Sequence, residues 1–587
     1  MASASTHHAN SHFQVEYLGF SGINRAAPSK GLPAPFDINN FRPFPDGSLR
    51  KRCGYEAKAS FSDRIRGVFP YSDTCLLVLA GHTLYTLDPT HWAKEAQALA
   101  TVSSSSGEVR FFPYGKRVLL LDGNAFYVYN GNTLSPLVGY TPLYGKLWGG
   151  GLRGPIHEPL NILSRHVRVS YQAASTDVSL IFPTPPSITS IDAVYLNGIK
   201  CDTSLCSFVN AQKASVCFAG KLTPSDELLV YYTLEDSVSV AGAADLFSCQ
   251  SVTFYGNRNA PGYALAAAFY RGNDKTQVYL SRSVESSVYE ADAVVYADAF
   301  PYYITEKDAY HFGSGENEIT TISRKENDAL VFTENEAFRL SGSGAPYKIT
   351  TISRSVGCAS VGCVISIGDD PISVGRSGIL RWLRRSDFPE GVLASEVLSE
   401  AIAPMVSDSF PQKCRCFFFR AKNEIWFSDP DASDKTVFIY HPDRALWFRF
   451  SAIDAEDFFE MKGTAGFFKD QKIFLFDEAL SDDHPSDAAV PISADFVTPP
   501  LYFDLPFSSK RLSRISLQCN AGGRFWMTVT NAQGYASRQR LCDESRESIG
   551  VIDKRVAVGR ARFFTVALTS DEAGASELRS LRLIAAQ

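Results

Sequence analysis

Two stretches of this chain repeat one another, and the distance between them narrows the fold more than any other feature of the sequence. Phe69-Pro70-Tyr71 returns as Phe112-Pro113-Tyr114, 43 residues later (112 − 69), and Leu76-Leu77 returns as Leu119-Leu120 at the same offset. After a slip of one residue, Gly81 matches Gly123 and Tyr85 matches Tyr127. Each copy reads as a strand, a turn, an apolar strand, a Gly turn and an alternating aromatic strand. A several-stranded unit recurring about every 40–45 residues has the spacing of propeller blades. A blade leaves an apolar face that only its neighbours cover, so one pair implies more. Similar text resumes near Ser251 and Gln277 and continues through 311–342 and 349–382. It returns in CFFFRAKNEIWFSD, VFIYHPDRALWFRF and KGTAGFFKDQKIFLFDE. The count is five to seven blades, with six the preferred reading.

The rest of the chain is consistent with an all-β protein. With 41 Phe and 26 Tyr it is rich in residues that suit strands. A length of 587 residues predicts several domains, or one large repeat domain with insertions. Glycines at 149–151 and 154 read as a hinge, followed by short strands with turns at Asn197-Gly198 and Pro224-Ser225-Asp226. That pattern predicts a small antiparallel sandwich inserted between blades. One helix is expected from Ala394 to Met405, where Val397, Leu398, Ala401, Ile402 and Met405 share a face and Ser395 offers a cap. Trp426, Trp447 and their Phe neighbours alternate at period two and read as blade core. The acidic run 477–491 reads as a loop, and 492–587 as a sheet module that completes the propeller or forms its own sandwich. The expected division is therefore an extended arm (1–56), first blades (57–150), inserted sandwich (151–240), remaining blades (241–490) and a C-terminal β module (491–587).

No catalytic or metal-binding pattern emerges, and no cofactor is expected. The S-x-D-x-G-x-x-W boxes of sialidase-type propellers are missing, as are G-x-S-x-G, H-E-x-x-H and G-x-x-x-x-G-K-[ST]. Paired acids at Asp369-Asp370 and Asp482-Asp483 read as solvated turn residues rather than a glycosidase pair. The 12 Cys form no CxxC pairs; Cys201/Cys206, Cys358/Cys363 and Cys414/Cys416 read as buried free thiols. His7, His8 and His12 lie in an opening stretch that reads as a loose polar arm. That stretch lacks the pattern of a secretory signal, and no run reaches the roughly 18 apolar residues of a spanning helix, so no stable membrane insertion is expected. A net charge of −6 argues against a dedicated DNA-binding surface but not against a wall past which DNA slides.

The extended leader at 24–55, NRAAPSKGLPAPFDINNFRPFPDGSLRKRCGY, ends in a turn signal (Pro45-Asp46-Gly47-Ser48) and a basic cluster (Arg50, Lys51, Arg52). Its phrase PDGSLRKRxGY resembles the N-terminus of β-propeller virion proteins of tailed bacteriophages, including the tail nozzle (tail tubular, DNA-stabilisation) proteins of short-tailed phages. Later phrases are similar to the same proteins: VYLS, GSGENEITTI, LVFTENEAFRL, GDDPISVGRSGI and the closing RFFTVAL and LRSLRLI. The resemblance implies a structural, non-enzymatic component of the virion tail, assembled in the bacterial host cytoplasm. Its copies would form a homo-oligomeric, hexameric ring that continues the channel for passing double-stranded DNA without sequence recognition. The ring would bind a tail connector or adaptor protein and dock tail fibres or spikes. The rival readings are a tail-tip or baseplate hub adaptor of a longer tail, and a glycan-binding or glycan-cleaving propeller. Asn24, Asp46, Arg50, Lys51 and Arg52 are the expected subunit or connector interface, because a proline-rich arm has little to bury against in its own fold. The bland alternative for the basic cluster is a solvated turn beside the first blade.

Overall fold

The chain is all-β: a β-propeller carrying an inserted β-sandwich and a sheet-rich C-terminal module. The structure is a computed structural model. It describes all residues but 1–7, 10–11, 26–35, 93–95, 115, 138, 149–156, 175, 177–179, 236–245, 256–265, 271–275, 282–302, 314–316, 343–346, 385–392, 487, 522–524, 542–549, 572–573 and 587. The glycine hinge at 149–151 and 154 lies outside the described residues. Two compact units emerge: Met1–Ala98 with Gly362–Ile367 and Ile372–Gln587, and Leu99–Val361 with Gly368–Pro371.

Among the described residues seven four-stranded units have the order of a blade, six as separate sheets and one as part of a nine-stranded sheet, within the five to seven expected and one more than the preferred six. Six are meanders of consecutive strands, beginning at Ile65–Ser72, Arg110–Tyr114, Val252–Tyr255, Ile319–Lys325, Val364–Ile367 and Arg415–Phe419. The repeat is reproduced strand for strand. Phe69 and Phe112 lie in the first strands of their sheets and pair with Leu77 and Leu119; Tyr85 and Tyr127 lie in the third and pair with Val78 and Leu120. The seventh sheet is composite: Asp457–Met461, Thr464–Lys469 and Lys472–Asp477 receive Gly54–Ser60 as their fourth strand.

Blade strands such as Cys75–Ala80, Asp328–Thr333 and Glu424–Ser428 are buried almost throughout, so they read as continuous runs rather than alternating patterns. Outer strands such as Lys348–Ser353 face solvent and turn polar. The inserted sandwich differs. Glu227–Leu234 alternates strictly, one face in a core with Tyr171, Phe182, Val216 and Phe218 and the other outward. That is the signature of a sheet covered on one side. Its two sheets have five and three strands, and the larger starts with Leu143–Trp148.

The expected helix at 394–405 is not formed. Leu393–Val397 is the outer strand of its blade, and only Glu400–Met405 turns, as a short 3-10 segment containing Pro404. Pro404 cannot donate to an α-helical ladder, and the sheet edge offers Leu393–Val397 a full set of backbone partners. In the N-terminal stretch, expected to be loose, His8–Ala9 and His12–Tyr17 are paired strands, while 1–7 and 10–11 lie outside the described residues. His12–Tyr17 pairs along the last strand, Ser576–Ala586.

From Phe36 onward the leader, expected to lie across a neighbour, is woven into its own chain; its proline-rich part, 26–35, lies outside the described residues. Asp37–Asn39 sits between Leu446–Phe450 of a blade and Ala494–Val497 of the C-terminal module, fusing both into one nine-stranded sheet. Leu49–Lys51 joins the sheet of the last strand, and Gly54–Ser60 completes the seventh blade. For the described part of the arm, 36–55, the premise that it lacks a burial partner fails, because three separate sheets each pair with it.

Candidate functional site

The turn at 45–48 orders the basic cluster. Asp46 accepts from the Ser48 amide (2.9 Å) and hydroxyl (2.7 Å), and Gly47 takes the left-handed conformation (φ +82°) that the turn demands. These Ser48 bonds hold the Asp46 carboxyl below its ordinary range. The turn pairs Phe41–Pro43 with Leu49–Lys51 and sends the following cations in different directions. Arg50, half-buried, lies over the Phe44 ring (4.1 Å) and reaches Asp46 (3.0 Å) and Glu577 (3.6 Å). Lys51 donates to the Gly574 carbonyl (3.3 Å), and burial lowers its pKa. Arg52 turns inward, 3% exposed, and forks onto Asp483 at 2.7 and 2.6 Å while donating to Asn40 Oδ1 at 2.9 Å.

Two residues that sequence reasoning passed over organise this region. Asn40 adopts φ +55°, donates to the Ser493 carbonyl (2.7 Å), and accepts from Arg52 and the Ser451 amide. Asp37 takes Arg449 at 2.9 and 2.8 Å and Arg25 at 3.1 Å. The one available signal was the Asn39-Asn40 pair, since asparagine tolerates the left-handed region better than most residues.

Behind the cluster lie two adjoining cavities of about 390 and 490 Å³, both lined by Arg42, Arg52, Cys53, Lys422 and Glu478. The first has aromatic walls, Trp92, Phe419, Trp426, Phe450 and Phe476. The second is bordered by Arg50, Lys51, Asn520 and Glu577. Arg42 is fixed by Glu424 (2.9 Å), which also accepts from the Trp426 indole (3.0 Å), and Lys422 is paired with Glu478. Burial raises the Cys53 thiol and, with Asp483 adding, pushes Tyr55 up to about 12, so both stay protonated at neutral pH. The lining contains no histidine. Its walls are aromatic, and its cations are held within the chain: Arg42 by Glu424, Arg52 by Asp483, Lys422 by Glu478, Arg50 by Asp46 and Glu577, and Lys51 by the Gly574 carbonyl.

Of the expected interface residues, the structure brings Arg50, Lys51 and Arg52 to this cleft. It leaves Asp46 exposed on the turn above and Asn24 half-buried on another stretch of the leader, between Ile23, bonded to Trp447, and Arg25, bonded to Ala401. Arg52 is committed to Asp483 inside the chain and offers nothing to a second molecule. The paired acids also diverge from expectation. Asp369 is exposed, but Asp370 pairs with the buried Lys325 (2.6 Å), and Asp483 is buried against Arg52. Among the described residues no group of three or more His, Cys, Asp or Glu is placed to hold a metal ion. Cys358, Cys363 and Cys414 are buried free thiols, and Cys363 donates to the Pro411 carbonyl (2.8 Å).

No family model matches the sequence, and no curated protein matches it. Among solved structures the chain is similar to the WD40 domain of SCAP from fission yeast, at 8% identity, covering 78% of this chain and 98% of that one with a TM-score of 0.30. It is also similar to the Neurospora crassa Pan2 WD40 domain, at 6% identity, covering 73% and 95% with a TM-score of 0.31. Scores this low carry no argument, and the fold assignment stands on the chain's own strand pairing.

Proposed function

We propose that this chain is a structural virion protein, the nozzle at the distal end of a short phage tail, where a ring of copies retains packaged DNA and docks fibres or spikes. The observation that carries the reading is the leader phrase Pro45 to Tyr55 with the further phrases that follow it in order along the chain. The all-β propeller with an inserted sandwich is the architecture this resemblance implies. Large apolar side chains exposed on the insertion (Trp148, Ile181, Ile199) and on the C-terminal module (Phe507, Tyr535, Val551) suit a chain that meets other subunits. A ring uses heterologous contacts that close by rotation, and its action would be mechanical, with no bond made or broken.

The test is the mass of the purified protein in solution, with negative-stain imaging of any large species. A ring with a central hole wide enough for duplex DNA is the expected outcome. A monomer that cleaves or binds glycans in a screen would overturn the structural reading. A tape-measure gene beside this one, in place of portal and connector genes, would favour the hub of a longer tail.

A further inference from the structure

Four arginines of the C-terminal module stand in two directly opposed pairs on one sheet. Arg511 lies opposite Arg560, and Arg514 opposite Arg555, across the strands Lys510–Ala521, Arg560–Ala561 and Gly550–Arg555. All four are exposed, while Leu512, Ile515, Val556 and Ala561 beside them turn into the core, so the arginines share the outward face. Among the described residues none of the four side chains has an ion pair or a hydrogen bond. Like charges placed directly opposite in a sheet repel. Other cations of the same sheet are matched: Arg582 pairs with Glu16, and Arg579 with Glu577 at 2.8 Å. Asp553, next on the row of Arg555, takes the Ser516 hydroxyl. Lys510, wholly buried beneath, spends its ammonium on the carbonyls of Leu505, Ser508 and Arg562 rather than on a carboxylate.

Opposed residues lie about 5 Å apart, and the two pairs are three residues apart along the strand (514 − 511). The charges therefore fall within roughly 10 Å, inside one Debye length, and their fields add. Exposed charge also protects a sheet edge, and Arg555 and Arg560 lie on edge strands. Edge protection does not account for Arg511 and Arg514, whose strand has partners on both sides. The residue type narrows the partner further. A guanidinium fork matches phosphate oxygens and keeps its charge at any physiological pH. A duplex carries one phosphate per about 1.7 Å of its axis, so it offers several anions at once to a patch this size. A protein would need acids in a matched set. The net charge of −6 over the whole chain does not oppose this, because phosphate contact depends on the local excess of cations.

We propose that this arginine face binds the phosphate backbone of duplex DNA without regard to sequence. It deepens the nozzle reading by naming where the chain touches DNA, and it stands on the arginines alone. Fluorescence anisotropy of the full chain with two labelled duplexes of unrelated sequence should give equal affinities that fall steeply with salt. The combined variant Arg511→Gln, Arg514→Gln, Arg555→Gln and Arg560→Gln should bind at least about tenfold more weakly. Its plot of log affinity against log salt should be shallower by about 3 to 4, since each lost phosphate contact removes about 0.9. A charge-matched control on the other compact unit, Lys200→Gln, Lys221→Gln, Arg324→Gln and Lys348→Gln, should leave both unchanged. In the unaltered chain, DNA should shield the four arginines from phenylglyoxal, read by mass spectrometry, while Arg324 stays reactive. Absence of binding, an equal loss in the control, or no shielding would overturn the proposal. So would a polyglutamate peptide that displaces DNA at equal charge, which would give the face to an acidic protein. A ring that binds no DNA through these arginines sinks this surface and keeps the assembly; a lasting monomer that binds DNA through them supports the surface without the ring.

Discussion

Arg52 carries its charge to a place where only 3% of its surface meets solvent, and it is tolerated there because Asp483 and Asn40 occupy its donors. Removing one member of such a pair leaves the other buried and uncompensated, a cost of about 3–5 kcal/mol. Arg52→Met should therefore lower stability in chemical denaturation by that amount, and Arg52→Met with Asp483→Leu should recover much of the loss. Gly54, two residues on, faces a different constraint. A Cβ there would sit 1.7 Å from the Asp482 carbonyl oxygen, backbone that cannot swing away. Gly54→Ala should cost roughly 3 kcal/mol, read as a fall in the melting midpoint. The thiols give a third outcome. Burial pushes Cys206 up to about 12 and Cys414 well above the ordinary value of about 8.5. Both should resist a disulfide reagent in the native protein near the ordinary thiol pKa and react once it is unfolded. At this scale the sequence exposed little: the basic cluster was visible as text, but which cation turns inward depends on Asp483, 431 residues away (483 − 52).

The strands show where reading the chain works and where it stops. Ile65–Leu87 and Arg110–Tyr129 were legible because each holds its own hairpins, so hydrophobic spacing and turn glycines lie within one short window. The segment 394–405 was misread because apolar residues three and four apart fit a helix as well as a strand followed by a tight turn; Pro404 was the discriminating residue. The leader was misread for a different reason. Its strands are short, and apart from the local pairing of Phe41–Pro43 with Leu49–Lys51 they are completed by strands hundreds of residues away, which no local pattern announces. His12–Tyr17 lies along the last strand over its whole length. Deleting residues 1–18 should therefore raise amide exchange within Leu581–Ala586 by several orders of magnitude, while exchange in Asp328–Thr333 of the other compact unit stays unchanged.

For the whole molecule, the all-β class and the propeller were legible from one repeat and a composition rich in aromatics. The make-up of the composite unit was not, because it borrows a strand that the sequence places before the first blade. That borrowed strand also fixes an order of events during synthesis. Ala57 pairs with Phe474, 417 residues downstream (474 − 57), so the ribosome must make most of the chain before Gly54–Ser60 finds its place. Until then the nascent protein displays an unpaired strand and an unfinished sheet, both templates for sticking to other chains. Folding of this protein is thus timed by its C-terminal half. Release of a fragment that stops before Asp457 should yield a chain that aggregates or is degraded, however well its first blades are made.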